Sequence, residues 1–287
     1  MEFNFQSFPD MKKVALLITV ALSCFFGSAG AQTDGSLKVM SYNVRVGSAK
    51  DGDNSWKIRR IATPAMLADK APAVFGVQEA LKSQIDYILQ ECPQYASVGV
   101  GREDGIAKGE FMSIFYLKSQ IEVLEWGTYW LSETPDVPSK GWDAACKRTA
   151  TWALMREKAS GRRFYFVNTH LDHVGVEARR KGLALIVEKI AAMNPEGLPM
   201  VLTGDFNSRL NDPWMADIKV LMNNARFYAD DTDWKTSFNA WGKSSASIDY
   251  IFYSGFSSCQ DFKVVDETYE GIPYISDHYP VIATLFF

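Results

Sequence analysis

The sequence predicts an α/β domain in which mixed β-sheets are covered by helices. Short runs rich in Val, Ile, Phe and Tyr, bounded by Gly, Pro, Asp or Asn, fill the chain, and most follow one another without an intervening helical pattern. Many of these runs are continuously apolar, as strands buried on both faces are, so two packed sheets are expected. With 287 residues, 47% hydrophobic and 22% charged, the chain is neither disordered, collagen-like nor a plain coiled coil, and it can bury a sizeable core.

The elements follow in order. Met11-Lys12-Lys13, the apolar run Val14 to Phe26 and the small residues Gly27 to Ala31 form the three parts of a secretory signal. Residues 1–31 are therefore expected to be an upstream extension and signal peptide, with one domain over 32–287. The expected location is outside the cytoplasm, in the periplasm, at the cell surface or in the medium. Acylation at Cys24 is the lesser alternative, because Ala21-Leu22-Ser23 fits the lipid-attachment pattern poorly. The apolar run is too short for a comfortable span, so no stable membrane insertion is expected, and the protein is expected to be monomeric.

Strands are expected over Leu37–Tyr42, Val74–Val77, Phe111–Leu117, Thr151–Arg156, Phe164–His170, Met200–Thr203, Ile248–Tyr253 and Val281–Phe287. Helical spacing marks Trp56–Asp69, Leu81–Leu89 and Glu177–Met193, the last closed by Pro195. Ser132 to Lys140 reads as a loop beside a site. Cys92, Cys146 and Cys259 are odd in number and widely spaced, which fits neither a disulfide framework nor a zinc ribbon; one disulfide is allowed and its pairing is open.

Polar residues gather at the ends of these strands. Asn43 and Glu79 end the first two; His170 and Asp172, then Asp205 and Asn207, end two more. Asp249 opens a strand, and Asp277-His278 precede the last. Residues two apart on a strand share a face, so Asn168, His170 and Asp172 point together, Asp205 and Asn207 point together, and His173 points the other way. The chain has three histidines, His170, His173 and His278, and all lie in these motifs. Such groups, once buried, need partners or a metal. A zinc site from His170, Asp172 and His173 is disfavoured because alternation splits them; Asp172 and His173 are read as buried structural residues.

SYNVR, VQEA, NTHLDH, GDFN, SIDYIF and SDHYPV, in that order, resemble the motif series of the endonuclease/exonuclease/phosphatase superfamily, the deoxyribonuclease I-like group. Gly109 to Tyr116 is similar to a further strand of that group, and the style is nearest to secreted bacterial members related to the deadenylase branch. The resemblance spans Leu37 to Phe287. It implies a four-layer α/β sandwich, two mixed β-sheets face to face with helices outside and the site at one rim.

It also implies metal-assisted hydrolysis of a phosphate ester with Mg²⁺ or Mn²⁺ as cofactor. Glu79 is the main expected ligand, with Asn43 as a second oxygen donor and Asp277 joining directly or through water. His278 with Asp249 forms the implied His–Asp pair, and either His278 or Asp205 is the base. Asn207 is implied to hold a phosphate oxygen and position Asp205, His170 to contact the phosphate, and Glu110 to orient His170. Arg148 reads as a phosphate clamp, since guanidinium donors match phosphate oxygens.

The expected activity is that of a secreted phosphoesterase. A nuclease is favoured, and a phosphatase or phosphodiesterase of small phosphorylated sugars, inositols or lipids is the alternative. The partner is thus nucleic acid or a small phosphorylated molecule. The net charge of −4 excludes a protein that coats nucleic acid by charge and leans towards a small substrate. Lys140, Lys147, Arg148, Arg179, Arg180 and Lys181 form a candidate cationic rim, and Trp126, Tyr129, Trp130 and Trp142 a candidate stacking platform. A non-catalytic binding protein on the same scaffold is the alternative from another class; it predicts lost site residues, whereas the set here is intact.

Overall fold

In the computed structural model, which describes Met1 and residues 35–287, the apolar runs become strands whose alternate residues face opposite ways. The signal-like segment lies outside the described residues. In chain order the elements are β1 (Ser36–Asn43), α1 (Trp56–Arg59), α2 (Ala62–Lys70), β2 (Val74–Gln78), β3 (Ala80–Leu81), α3 (Lys82–Glu91), β4 (Tyr95–Val98) and β5 (Glu110–Phe111). Then come β6 (Ile114–Leu117), β7 (Ile121–Trp130), β8 (Thr149–Glu157), β9 (Arg163–His170), α4 (Val176–Met193), β10 (Met200–Asp205), α5 (Ala216–Leu221) and β11 (Asn223–Asn224). The chain closes with α6 (Ala225–Tyr228), β12 (Ala229–Thr232), β13 (Asp249–Ser254), β14 (Ser258–Val264) and β15 (Val281–Phe286).

One sheet has the order β12-β14-β15-β1-β2-β6-β4, the other β11-β13-β10-β9-β8-β7, and β3 pairs with β5 apart from both. Alternation sorts the apolar side chains into three cores. Val39, Val74, Phe166, Val201 and Ile251 meet between the two sheets. Their chain neighbours Met40 and Phe75 face outward onto Met66, Leu67, Ile85 and Ile88 of α2 and α3. On the other side, Val167, Leu202 and Phe252 pack on Leu183, Ile186 and Ile190 of α4. This is the expected four-layer sandwich. Burying one Val, Leu, Ile or Phe side chain contributes roughly 1.5–3 kcal/mol, so these cores supply the main favourable term. Among the described residues no helix is long and apolar enough to cross a membrane, and Cys92, Cys146 and Cys259 are free thiols.

Several local expectations are corrected. Trp56–Asp69 is two helices rather than one, since Pro64 has no N–H to give the carbonyl of Arg60 and its ring would clash there. Phe111–Leu117 is broken at Met112-Ser113: β5 pairs with β3, while β6 joins the large sheet. Ser113 carbonyl accepts instead from Val77 N–H (2.9 Å) and Asn168 Nδ2 (3.2 Å). The helix expected from Leu81 starts at Lys82; Leu81 caps it, its N–H held by Gln84 Oε1 at 3.1 Å. β3, β4, β7, β11, β12 and β14 lie outside the expected strand runs. Of these β7 is an edge strand with several exposed positions, so its apolar pattern is diluted.

Candidate active site

Strand direction brings the polar motifs to one rim. β1 and β2 run parallel with Asn43 opposite Gln78, and β9 and β10 run parallel with His170 opposite Asp205. β13 is antiparallel to β10 and begins at Asp249, opposite Asp205. Both sheets therefore end their parallel pairs on the same side, and the segment before β15 adds Asp277 and His278. Arg45, Glu79 and Asn207, just past these strand ends, have left-handed backbone (φ 55°, 62° and 45°). Such conformations cost about 1–3 kcal/mol each and turn the side chains back over the rim.

Asp205 is the centre of the cluster. Its Oδ2 accepts from Asn43 Nδ2 (3.0 Å) and lies 3.4 Å from His170 Nε2 and 3.6 Å from His278 Nε2. Its Oδ1 accepts from Asn207 N–H at 2.9 Å. Asn43 Nδ2 also donates to Glu79 Oε1 (3.0 Å), and Val46 N–H donates to Glu79 Oε2 (3.0 Å). His278 Nδ1 donates to Asp249 Oδ2 at 2.9 Å, the expected His–Asp pair. Phe238 closes over His278, ring centres 4.9 Å apart. Asp277 faces Arg45 Nε at 3.6 Å.

Burial and charge set the protonation states. Burial pushes the Asp205 carboxyl up to about 7, with Asp249 and Glu79 adding repulsion and His278 opposing it. Burial also opposes the His278 cation, but Asp249 and Asp205 overcome it and raise the imidazole to about 10. Burial and the nearby Arg148 and Arg102 hold His170 well below the ordinary histidine value. Glu79 is half-buried, which works against its charge, yet Asn43, His278, Val46 N–H and Arg45 together hold it below the usual carboxylate value. One imidazole is thus a cation and the other neutral, on either side of one carboxyl. Asn207 Nδ2 donates to Leu171 carbonyl (3.0 Å) and His170 Nε2 (2.9 Å), which assigns the His170 proton to Nδ1.

The donor set fits a hard divalent cation. Oxygen atoms of Glu79 and Asp205 and a nitrogen of His170 lie within 4.8 Å of one another, and Asp205, Asp249 and His278 form a second such group. Asn43 differs from expectation: its amide nitrogen faces the two carboxylates, while its oxygen accepts Arg45 N–H at 2.9 Å. In this structure it is a strut between two acids, with its oxygen, the expected metal ligand, taken by Arg45 N–H.

Other expectations are also revised. Glu110 does not orient His170; it pairs with Arg102 Nη1 at 2.5 Å, and buried His170 Nδ1 has no hydrogen-bond partner. Asp172 and Asn207 lie beyond the strand ends, so strand alternation does not place them; Asn207 still reaches His170. Arg148 is buried, bonded to Asp172 Oδ2 (Nε, 3.3 Å) and His173 Nδ1 (Nη2, 2.8 Å), and its buried Nη1 has no partner. His173 is exposed, not buried, and stands in the cavity wall.

Cys146, Asp172 and His173 also converge within 4.8 Å, but the chemistry there is structural. Asp172 accepts N–H bonds from Val174, Gly175 and Ala145 as well as from Arg148, and that guanidinium would repel a metal ion. The Ser132–Lys140 loop contributes nothing to the cavity wall.

The wall includes Arg45, Arg102, Cys146 and Phe238, to which the sequence reading assigned no role. Arg45 stands in the SYNVR motif, the one signal available. Arg102 and Phe238 come from loops with no pattern to mark them. The cationic rim is largely neutralised: Arg180 and Lys181 pair with Glu177, and Lys147 with Glu103. The aromatic platform is dismantled, for Tyr129 and Trp130 are buried and Trp130 Nε1 donates to Arg102 carbonyl at 2.7 Å.

A cavity of this make-up on a four-layer sandwich defines a phosphoesterase class of hydrolase. The chain belongs to the Endonuclease/Exonuclease/phosphatase family, whose profile matches residues 40–278. A solved endonuclease/exonuclease/phosphatase from Bacteroides vulgatus is 35% identical, with 87% of this chain and 98% of that one covered and a TM-score of 0.82. A mannosyl-6-phosphatase from Bacteroides thetaiotaomicron VPI-5482 is 34% identical, covering 88% and 100% at a TM-score of 0.83. TDP2 of D. rerio, solved with a single-strand DNA product, is 19% identical, covering 88% and 100% at a TM-score of 0.70, a likeness of fold.

Proposed function

We propose that this protein is an exported, Mg²⁺-dependent phosphatase acting on a small phosphorylated sugar. The observation that carries this reading is the form of the catalytic cavity. It is a pocket of about 340 Å³ walled by Glu79, Asp205, His170, Asn207, His278 and Arg148. A pocket of that size suits a single phosphorylated unit. The 34% identical relative named for mannosyl-6-phosphate supports the same class.

Glu79 and Asp277 would hold the cation, which would supply charge for the phosphoryl oxygen when bound. His278, charged because of Asp249, stabilises negative charge on the phosphate. Since that imidazole holds its proton at neutral pH, Asp205 is the better base for a water, oriented by Asn207 N–H. The unpartnered Nη1 of Arg148 receives a phosphate oxygen, and the bonded Asn207–His170 pair shapes the wall beside it. Nuclease action, favoured on sequence grounds, is the second reading; a DNA-bound protein shares the fold.

The test is phosphate release from mannose 6-phosphate with Mg²⁺, beside nicking of supercoiled plasmid. Release that stops with chelator and with His278→Ala supports the proposal. Nicking without release of phosphate from sugars would replace it with the nuclease.

A further inference from the structure

A second, larger cavity of about 680 Å³ lies behind the catalytic one. Its walls include the loops that leave the site: Arg209 follows Asn207 by two residues, and Ser247 precedes Asp249 by two. Tyr250 Oη ties these loops together by donating to Ser247 carbonyl (2.7 Å) and Ser208 carbonyl (3.0 Å). The partition between the cavities is one backbone pairing. Phe238, facing the catalytic cavity, exchanges hydrogen bonds with Ala246, facing the second (2.9 and 3.2 Å).

The second cavity combines cations with exposed rings. Arg209, Lys219 and Arg226 line it, and no Asp or Glu does. None of the three makes an ion pair among the described residues, although the chain as a whole carries a charge of −4. Lys219 donates to Leu210 carbonyl at 3.2 Å. Arg226, 4% exposed, gives Nη1 to the carbonyls of Asp233 and Lys235, and its Nη2 has no partner. Trp234 and Phe227, 62% and 54% exposed, meet edge to face with centres 5.3 Å apart. Three cations and no acidic side chain line this concavity, which favours an anion, and guanidinium forks suit phosphate oxygens. The indole offers an apolar face for the C–H side of a sugar ring.

We propose that this cavity is a non-catalytic binding site for a second phosphorylated sugar, as in a glycan bearing more than one such unit. The proposal rests on the sugar-phosphatase reading above, and it extends the substrate class from a free monosaccharide to a larger phosphorylated carbohydrate. No bond is made or broken there; the site holds a ligand.

The test is binding without turnover. Purified protein in chelator is titrated with mannose 6-phosphate, and the indole N–H resonance of Trp234, assigned by Trp234→Phe, is followed by NMR. A saturable shift is expected, weakened about tenfold by Arg209→Ala or Lys219→Ala, the loss of one charge-assisted hydrogen bond. Both residues are exposed, so these variants keep the fold. With Mg²⁺ restored, they release phosphate from free mannose 6-phosphate like the parent. Methyl mannoside, which lacks the anion, leaves the resonance unmoved. An unshifted resonance, or one equally sensitive in the variants, overturns the site. Tighter binding of adenosine 5′-monophosphate than of mannose 6-phosphate overturns its carbohydrate assignment. Absent phosphate release with the Trp234 shift intact would instead sink the phosphatase reading and leave the anion site standing.

Discussion

At the residue scale, Asp205 stands at a strand end between His170 and His278, at the centre of the candidate site. Replacing His278 by Ala or Asp249 by Asn is expected to lower phosphate release by about 10³-fold while the fold persists. In the metal-free protein, NMR should find the His278 ring still protonated through neutral pH, losing its proton near pH 10. Because the folded value lies above the unfolded one, this group's stabilisation is full below about pH 6.5 and fades as pH rises through the folded value. A ring titrating near 6.5 would show that the pair with Asp249 does not hold in solution. Asp172 has the opposite sign. Although buried, its carboxyl is held well below the usual range by Gly175, Val174 and Ala145 N–H groups and by Arg148. Its stabilisation is present above about pH 3.9 and is lost as pH falls towards the folded value. Asp172→Ala, which leaves Arg148 buried without its carboxylate, is expected to cost about 3–5 kcal/mol in denaturant unfolding.

At the element scale, the two sheets are joined near the site by a buried polar clasp. Asn168 on β9 gives Nδ2 to Val77 carbonyl (2.8 Å) and Ser113 carbonyl (3.2 Å), and its Oδ1 accepts from Gln78 Nε2 (2.7 Å) on β2. Gly76 makes the approach possible: a Cβ there would stand 2.3 Å from Asn168 Oδ1. Asn168→Leu removes the donor to Val77 carbonyl and the nearest acceptor of Gln78 Nε2, while Ser113 carbonyl keeps Val77 N–H and Gln78 keeps Ser41 Oγ (3.2 Å), at about 1–3 kcal/mol for a group left unpaired. Gly76→Ala forces the sheets apart at the same point. Both should lower the unfolding midpoint and reduce activity, since the clasp sets the spacing between Glu79 and Asp205. Normal activity in a destabilised Gly76→Ala protein would separate the clasp from the site geometry.

At the scale of the whole molecule, three apolar cores support a rim crowded with carboxylates. The cores do not depend on a metal, so chelation should abolish phosphate release and leave circular dichroism unchanged. Adding Mg²⁺ should then raise the melting temperature, because a ligand that binds the folded state stabilises it. A protein that unfolds on chelation would show that the cation is structural.

Much of this was legible in the chain itself. Alternating and continuous apolar runs mark the strands, and the position of Asn43, Glu79, His170, Asp205, Asp249 and His278 at their ends marks the rim, because strand geometry fixes both direction and face. The missing N–H of Pro64 marks the break between α1 and α2 in the chain as well. What only the tertiary structure decided depends on side chains distant in sequence. Arg102 takes Glu110 away from His170, Asn43 turns its nitrogen to two acids, and Arg148 is buried by Asp172. The cationic surface is neutralised by its own neighbours, while Arg209, Lys219 and Arg226 line a second cavity that no acidic side chain lines. Periodicity determines which face a residue takes, but a hydrogen bond has one geometry among several competing partners, and folding alone selects which of them arrives.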